Sequence, residues 1–226
     1  MAREGAMASG RLHEGVRMLR LLWGTFLYAV GIVLTIQAGL GLSPWDVFHQ
    51  GLSNRLGISF GTASILVSFV LVAASALLRE HVGVGTLLNM VLVGVFIDLV
   101  MMTRRIPEMH TFPAGLAMMA AGLFVIAFAS FFYIGAGYGA GPRDSLMVVL
   151  ARRTGRAVGL CRAVVEGTAL LLGWLLGGHA GVGTVIAAFG AGVAIQTVFA
   201  LLRFDVRKVR QELLSESWER LRRLVR

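Results

Sequence analysis

The chain has 226 residues, 57% of them hydrophobic and 15% charged, whereas a soluble domain carries about 25% charged residues. That composition excludes an ordinary soluble domain and points to an integral membrane protein. The net charge of +9 sits beside apolar runs and at the C-terminal end. It reads as topology and lipid contact, and the basic residues lack the interleaved exposed aromatics of a nucleic-acid binder. The single Cys161 lies inside an apolar run, so no internal disulfide or thiolate metal cluster can form, and burial as a small hydrophobe is expected.

In chain order, residues 1–18 read as a basic cytoplasmic tail with Arg3, Arg11 and Arg17. The apolar run from Leu19 to about Gly39 exceeds the about 7–15 residues of a signal-peptide core and is expected to remain as a first span. Five further apolar runs follow, near 58–78, 82–102, 113–134, 157–176 and 180–202, each close to the roughly 20 residues that cross a bilayer core. The expected fold is therefore an all-α polytopic membrane protein with six transmembrane helices. They fall into two three-helix repeats, 19–105 and 106–202.

The duplication is carried by one stretch that occurs twice. Ala38-Gly39-Leu40-Gly41-Leu42-Ser43-Pro44-Trp45-Asp46 returns as Ala136-Gly137-Tyr138-Gly139-Ala140-Gly141-Pro142-Arg143-Asp144. The offset is constant (142 − 44 = 98) and also pairs Arg55 with Arg153, Gly57 with Gly155, Gly61 with Gly159, His81 with His179 and Gly94 with Gly192. It likewise pairs the two Gly-Val-Gly-Thr turns at 83–86 and 181–184. Chance similarity among apolar residues would not hold glycines, prolines, an Asp and a His in register.

Between the first and second span of each copy lies a short segment, 44–55 and 142–153. Twelve helical residues reach about 18 Å against a hydrocarbon thickness of roughly 30 Å. Both are expected to be re-entrant half-helices, broken at Gly41 and Pro44 and at Gly139 and Pro142. Three spans per repeat is an odd number, so the second copy is expected to run inverted. The arginines lean the same way: Arg152, Arg153 and Arg156 follow the second half-helix, while the hairpin at 177–181 has none and its counterpart has Arg79. With both termini in the cytoplasm, Arg55, Arg104 and Arg105 are left outside, although charge counting alone also permits eight crossings.

Residues 203–226 form a basic segment with Leu214, Trp218, Leu221 and Val225 at helical spacing. An amphipathic cytoplasmic helix lying on anionic lipid is expected, with a partner-docking helix as the other reading.

Ser43-Pro44-Trp45-Asp46 places Ser at the N-cap, Pro at N1 and a carboxylate at N3. That pattern is a capping box, and capping alone would explain both Asp46 and Asp144. The functional reading brings two broken helices to one cavity, where Asp46 and Asp144 offer a cation or proton site and Trp45 against Arg143 distinguishes two faces of a substrate. Glu166 lies in mid-span, where an ionisable group costs about 2.5–3.5 kcal/mol on insertion scales. Arg162 is one turn away, so a local ion pair is the plain alternative. Asp98 is expected at the interface near Arg104 and Arg105, Asn89 in an interhelical hydrogen bond, and His81 and His179 bonded to their turns. No nucleotide loop, dinucleotide fingerprint, zinc motif or nucleophile elbow is present in the sequence, so neither an enzyme of familiar type nor a cofactor or metal site is expected. Two function classes remain, a small-solute or ion transporter and a scaffold for a partner enzyme or regulator, either of them free to self-associate.

The duplicated Gly-x-Gly-x-x-Pro-x-Asp, the half-helix endings Arg55-Leu56-Gly57 and Arg153-Thr154-Gly155, and the stretch from Ser43 to Gly51 resemble the YczE/YyaS/YitT family of bacterial integral membrane proteins, its YczE branch most closely. The resemblance spans about residues 19–202. It implies a multi-pass protein of the bacterial cytoplasmic membrane and supplies no catalytic residues.

Overall fold

The computed structural model describes residues 2–78, 83–138, 141–206 and 209, without the side chains of 2–13, 142–145, 148–149 and 158. Arg79, His81 and Gly139 lie outside the described residues, as do the side chains of Pro142, Arg143 and Asp144 and, beyond 206 and apart from 209, the basic segment expected at 203–226. Among the described residues there are eight α-helices and no strand: α1 Ala2–Gln37, α2 Pro44–Leu56, α3 Phe60–Leu77, α4 Val84–Met102, α5 Phe112–Gly135, α6 Pro142–Thr154, α7 Val158–Leu175 and α8 Val182–Leu201. Five of them, α1, α3, α4, α5 and α8, are long and apolar enough to cross a membrane. The basic segment at the start is continuous with α1 and not a separate tail.

α2 and α6 stand where the two short segments were expected, each 13 residues long, or about 20 Å. Each starts on Pro at N1, whose missing N–H is no loss there. Each ends on a glycine in the left-handed region, Gly57 at φ 66° and Gly155 at φ 64°, a conformation that other residues enter only at a cost. Ser53 closes the end of α2 by accepting the Gly57 N–H at its carbonyl (2.9 Å) and donating its hydroxyl to the Ile58 carbonyl (2.6 Å).

The centre of the bundle is α1 against α5. Glycines let the two backbones approach: a Cβ at Gly24 would strike the Tyr133 nitrogen, one at Gly31 the Gly122 carbonyl, and one at Gly115 the Ala38 carbonyl. The partner numbers fall as those on α1 rise, so these equivalent helices of the two copies run antiparallel. α3 and α4 are antiparallel as well, with Gly61 against Gly94 and Ser59 against Asp98.

Each glycine-rich break docks on the Gly-Val-Gly-Thr turn of the other copy. The Gly183 N–H donates to the Leu40 carbonyl (2.7 Å), and the Gly85 N–H donates to the Tyr138 carbonyl (2.8 Å). Leu40 and Tyr138 are 98 apart (138 − 40), and so are Gly85 and Gly183 (183 − 85), so the two bonds are the same bond exchanged between copies. A side chain at either glycine would occupy the docked backbone. His179 takes part through its backbone, its N–H donating to Gln50 Oε1 (2.6 Å) and its carbonyl accepting from Leu42 (3.2 Å). Cys161 is buried, as expected.

Candidate functional site: a polar cavity between the two half-helices

α2 is positioned by backbone contact. A Cβ at Gly51 would meet the Gly173 carbonyl, and one at Gly173 or Gly178 would meet the backbone of Val47 and Phe48. The half-helix therefore lies directly on α7, with Ser43 at its N-cap. The expected capping box does not form, because the Ser43 hydroxyl makes no side-chain cap to the backbone and instead donates to Asp46 Oδ2 (2.5 Å). A carboxylate in the first turn already gains from the helix dipole and does not need the serine as intermediary. The other carboxylate oxygen lies 3.4 Å from His49 Nδ1, a fully buried side chain whose ring stands edge-on to Phe60.

Two adjoining cavities, of about 120 and 90 Å³, lie by the N-termini of the short helices, the larger touching α2 and the α6 N-cap and the smaller touching α2. Tyr28, Trp45, Arg162 and Glu166 line both. The larger adds Ser64, Ser68, Asn89, Tyr133 and the α6 N-cap Gly141, and the smaller adds Ser43, Pro44, Asp46 and Thr35. Many of these positions pair across the repeat offset of 98: Ser43 with Gly141, Asn89 with Ala187, Val93 with Ala191. The two cavities are thus counterparts under the repeat offset.

The charges break that symmetry. Arg162 and Glu166 occupy on α7 the places that Ser64 and Ser68 occupy on α3 (162 − 64 = 98; 166 − 68 = 98). Arg162 Nε donates to Glu166 Oε1 at 2.9 Å, with the guanidinium half exposed and the carboxylate mostly covered. A ligand offering its own donor or acceptor competes with this single charge-assisted hydrogen bond. The cavity can hold a small solute of a few heavy atoms between one carboxylate, one guanidinium, several hydroxyls and two helix N-termini.

Of the residues singled out from sequence, Trp45, Asp46, Arg162 and Glu166 meet at these cavities, and Pro44 lines the smaller one. Gly41 lies behind them, packed on Gly181. The Arg162–Glu166 pair forms as the plain alternative held. Asn89 lines the larger cavity. Asp98 binds across to α3, accepting from the Ser59 hydroxyl (2.5 Å) and the Gly61 N–H (2.8 Å). Ser64, Ser68, Tyr28, Tyr133 and His49 were not singled out. The repeat offset applied to Arg162 and Glu166 would have found the two serines, and the i, i+3 spacing from Asp46 would have found His49. Among the described residues no three His, Cys, Asp or Glu side chains gather to hold a metal ion.

Residues 15–199 match the model of a family of unknown function, DUF6198. The chain is 37% identical to the uncharacterized membrane protein YczE of Bacillus subtilis over 76% of its own length and 80% of that protein's. It is 31% identical to an uncharacterized protein of Haemophilus influenzae, over 78% and 80% of the two chains. With the uncharacterized protein YyaS of Bacillus subtilis it shares 26% identity over 79% and 90%. No solved structure matches. A multi-pass helical membrane protein built on a duplicated unit, the chain belongs to the DUF6198 family, alongside the YczE and YyaS proteins it was expected to resemble.

Proposed function

We propose that this protein is a small-solute or ion transporter of the bacterial cytoplasmic membrane whose substrate binds between the N-termini of α2 and α6. The observation that carries the reading is the sharing of Trp45, Arg162 and Glu166 by two symmetry-related cavities at the broken helices. Transporters of inverted-repeat design bind at such a midplane axis, and ionisable groups within spans mark such paths.

The topology of the proposal is six spans with two inverted repeats, α7 joining the five long apolar helices as the fifth span in chain order. The antiparallel run of α1 against α5 supports it. If α2 crossed the membrane, three crossings (α2, α3 and α4) would lie between α1 and α5 and the two would be parallel. If α2 turns back, two crossings lie between them and they oppose each other. N- and C-termini are then cytoplasmic, where the basic segment at 207–226 meets anionic lipid.

The scaffold reading is kept alive by one observation: Asp46 and Glu166 each have a partner on their own helix, Ser43 and Arg162. Pyranine-loaded proteoliposomes separate the readings. Under a transport reading, Asp46→Asn combined with Glu166→Gln abolishes the proton flux that the wild-type chain conducts after a pH jump, while both proteins insert and fold alike. Equal flux in wild type, double variant and empty vesicles would leave the scaffold.

A further inference from the structure

A third space, of about 400 Å³, opens between α3 and α7, with α2 and α6 beneath it. Its walls are Val67 and Leu71 facing Val165 and Ala169, and its floor is Phe48 and Leu146. These residues pair across the same offset of 98 (165 − 67; 169 − 71; 146 − 48), so the groove lies on the axis that carries the polar cavities. Among the described residues the lining is apolar except for Thr168, whose hydroxyl is turned to the Val164 carbonyl of its own helix (2.8 Å), and the indole of Trp45. At its outer edge Val70 is 64% and Val164 60% exposed, a surface that faces acyl chains once α3 and α7 stand in a bilayer. At its inner end is Trp45, the one residue that lines the groove and both polar cavities.

Resting on the reading of the polar cavity as a solute site, we infer that its substrate is a single-chain amphiphile: the acyl chain lies in the α3–α7 groove and the small polar head passes Trp45 to reach Ser64, Ser68, Arg162 and Glu166. A freely water-soluble solute needs no apolar chamber sharing a wall residue, Trp45, with its site, and a protein interior ordinarily closes such space with side chains. A groove of this size lies within the range of small-molecule sites, about 300–1,000 Å³. The indole is suited to the junction, since it presents an apolar body and one polar N–H. Entry from the side, between α3 and α7, lets the chain remain in apolar surroundings while only the head is transferred.

The test uses the full chain in phosphatidylcholine nanodiscs and a long-chain fatty acid with a diazirine at the end of its chain, a head of three heavy atoms that suits the polar cavity. Photo-adducts are expected on Leu66, Val70, Val164 and Leu172 in excess over Phe69 and Leu171, which are exposed but outside the groove. Unlabelled fatty acid should displace the excess, and acetate or dodecane alone should not. Ala169→Phe, which fills the groove, should lower the excess by about tenfold, the equivalent of 1.4 kcal/mol in affinity. The competition on the unaltered chain decides the matter should that variant misfold. Adducts spread evenly over groove and outer face, without competition, would mean bilayer contact only and overturn the proposal. Groove labelling that dodecane displaces equally well would overturn it too, because the head would then have no site. Proton flux unchanged by the Asp46 and Glu166 substitutions is a separate failure, of the transport reading, and leaves the labelling result readable.

Discussion

The two repeats place glycines at equivalent positions and use them differently, which gives a sharp test. At Gly94 a Cβ would lie 2.5 Å from the Gly61 carbonyl and 2.5 Å from Ile65 Cγ1. At Gly192, its counterpart on α8, nothing described lies within 4 Å. Alanine improves intrinsic helix propensity by about 1 kcal/mol at either site. At Gly94 that gain is outweighed, because α3 must move away. Overpacking of this kind costs about 1–3 kcal/mol, and the shift also strains the bonds from Ser59 and Gly61 to the Asp98 carboxylate, worth about 1.5–3 kcal/mol each when intact. Gly94→Ala is therefore expected to destabilise by about 1–3 kcal/mol net, and Gly192→Ala to be neutral or stabilising by up to about 1 kcal/mol. Reversible unfolding in mixed dodecylmaltoside and SDS micelles, followed by tryptophan fluorescence, measures both. Equal destabilisation by the two substitutions, or a harmless Gly94→Ala, would refute the account of how α3 meets α4.

Ser43→Ala should cost about 1 kcal/mol in the same assay by removing the hydroxyl that holds Asp46; no change would mean the carboxylate is held without it. Glu166→Gln should leave stability within about 1 kcal/mol, since the amide oxygen can still accept from Arg162 Nε, while changing flux in proteoliposomes; the opposite result would make the pair structural. Single cysteines at Leu78 and at His179 should react with impermeant maleimide from opposite sides of the membrane, and reaction from one side would sink the inverted repeat. Deleting 207–226 should preserve the bundle and weaken association with anionic liposomes relative to neutral ones, and an unchanged ratio would remove the lipid-binding role of that segment.

The membrane class, the duplicated unit and the eight helical segments were legible in the sequence, because each rests on local chemistry. Apolar runs of bilayer length, proline at N1, and glycine where the chain turns left-handed act within a few residues of themselves. The constant offset made the repeat visible without any knowledge of packing. What the local pattern could not carry was partnership. Asp98 sits near Arg104 and Arg105 in sequence yet binds Ser59 and Gly61 on another helix. Ser43 has the spacing of a capping serine yet donates to Asp46. Ser64 and Ser68 are unremarkable in an apolar run and acquire meaning only because the fold sets α3 opposite α7, so that two hydroxyls face Arg162 and Glu166 across one cavity. Sequence spacing determines which side chains share a face of a helix. Which faces meet is decided by backbone approach at glycines far apart in the chain, and that belongs to the tertiary structure alone.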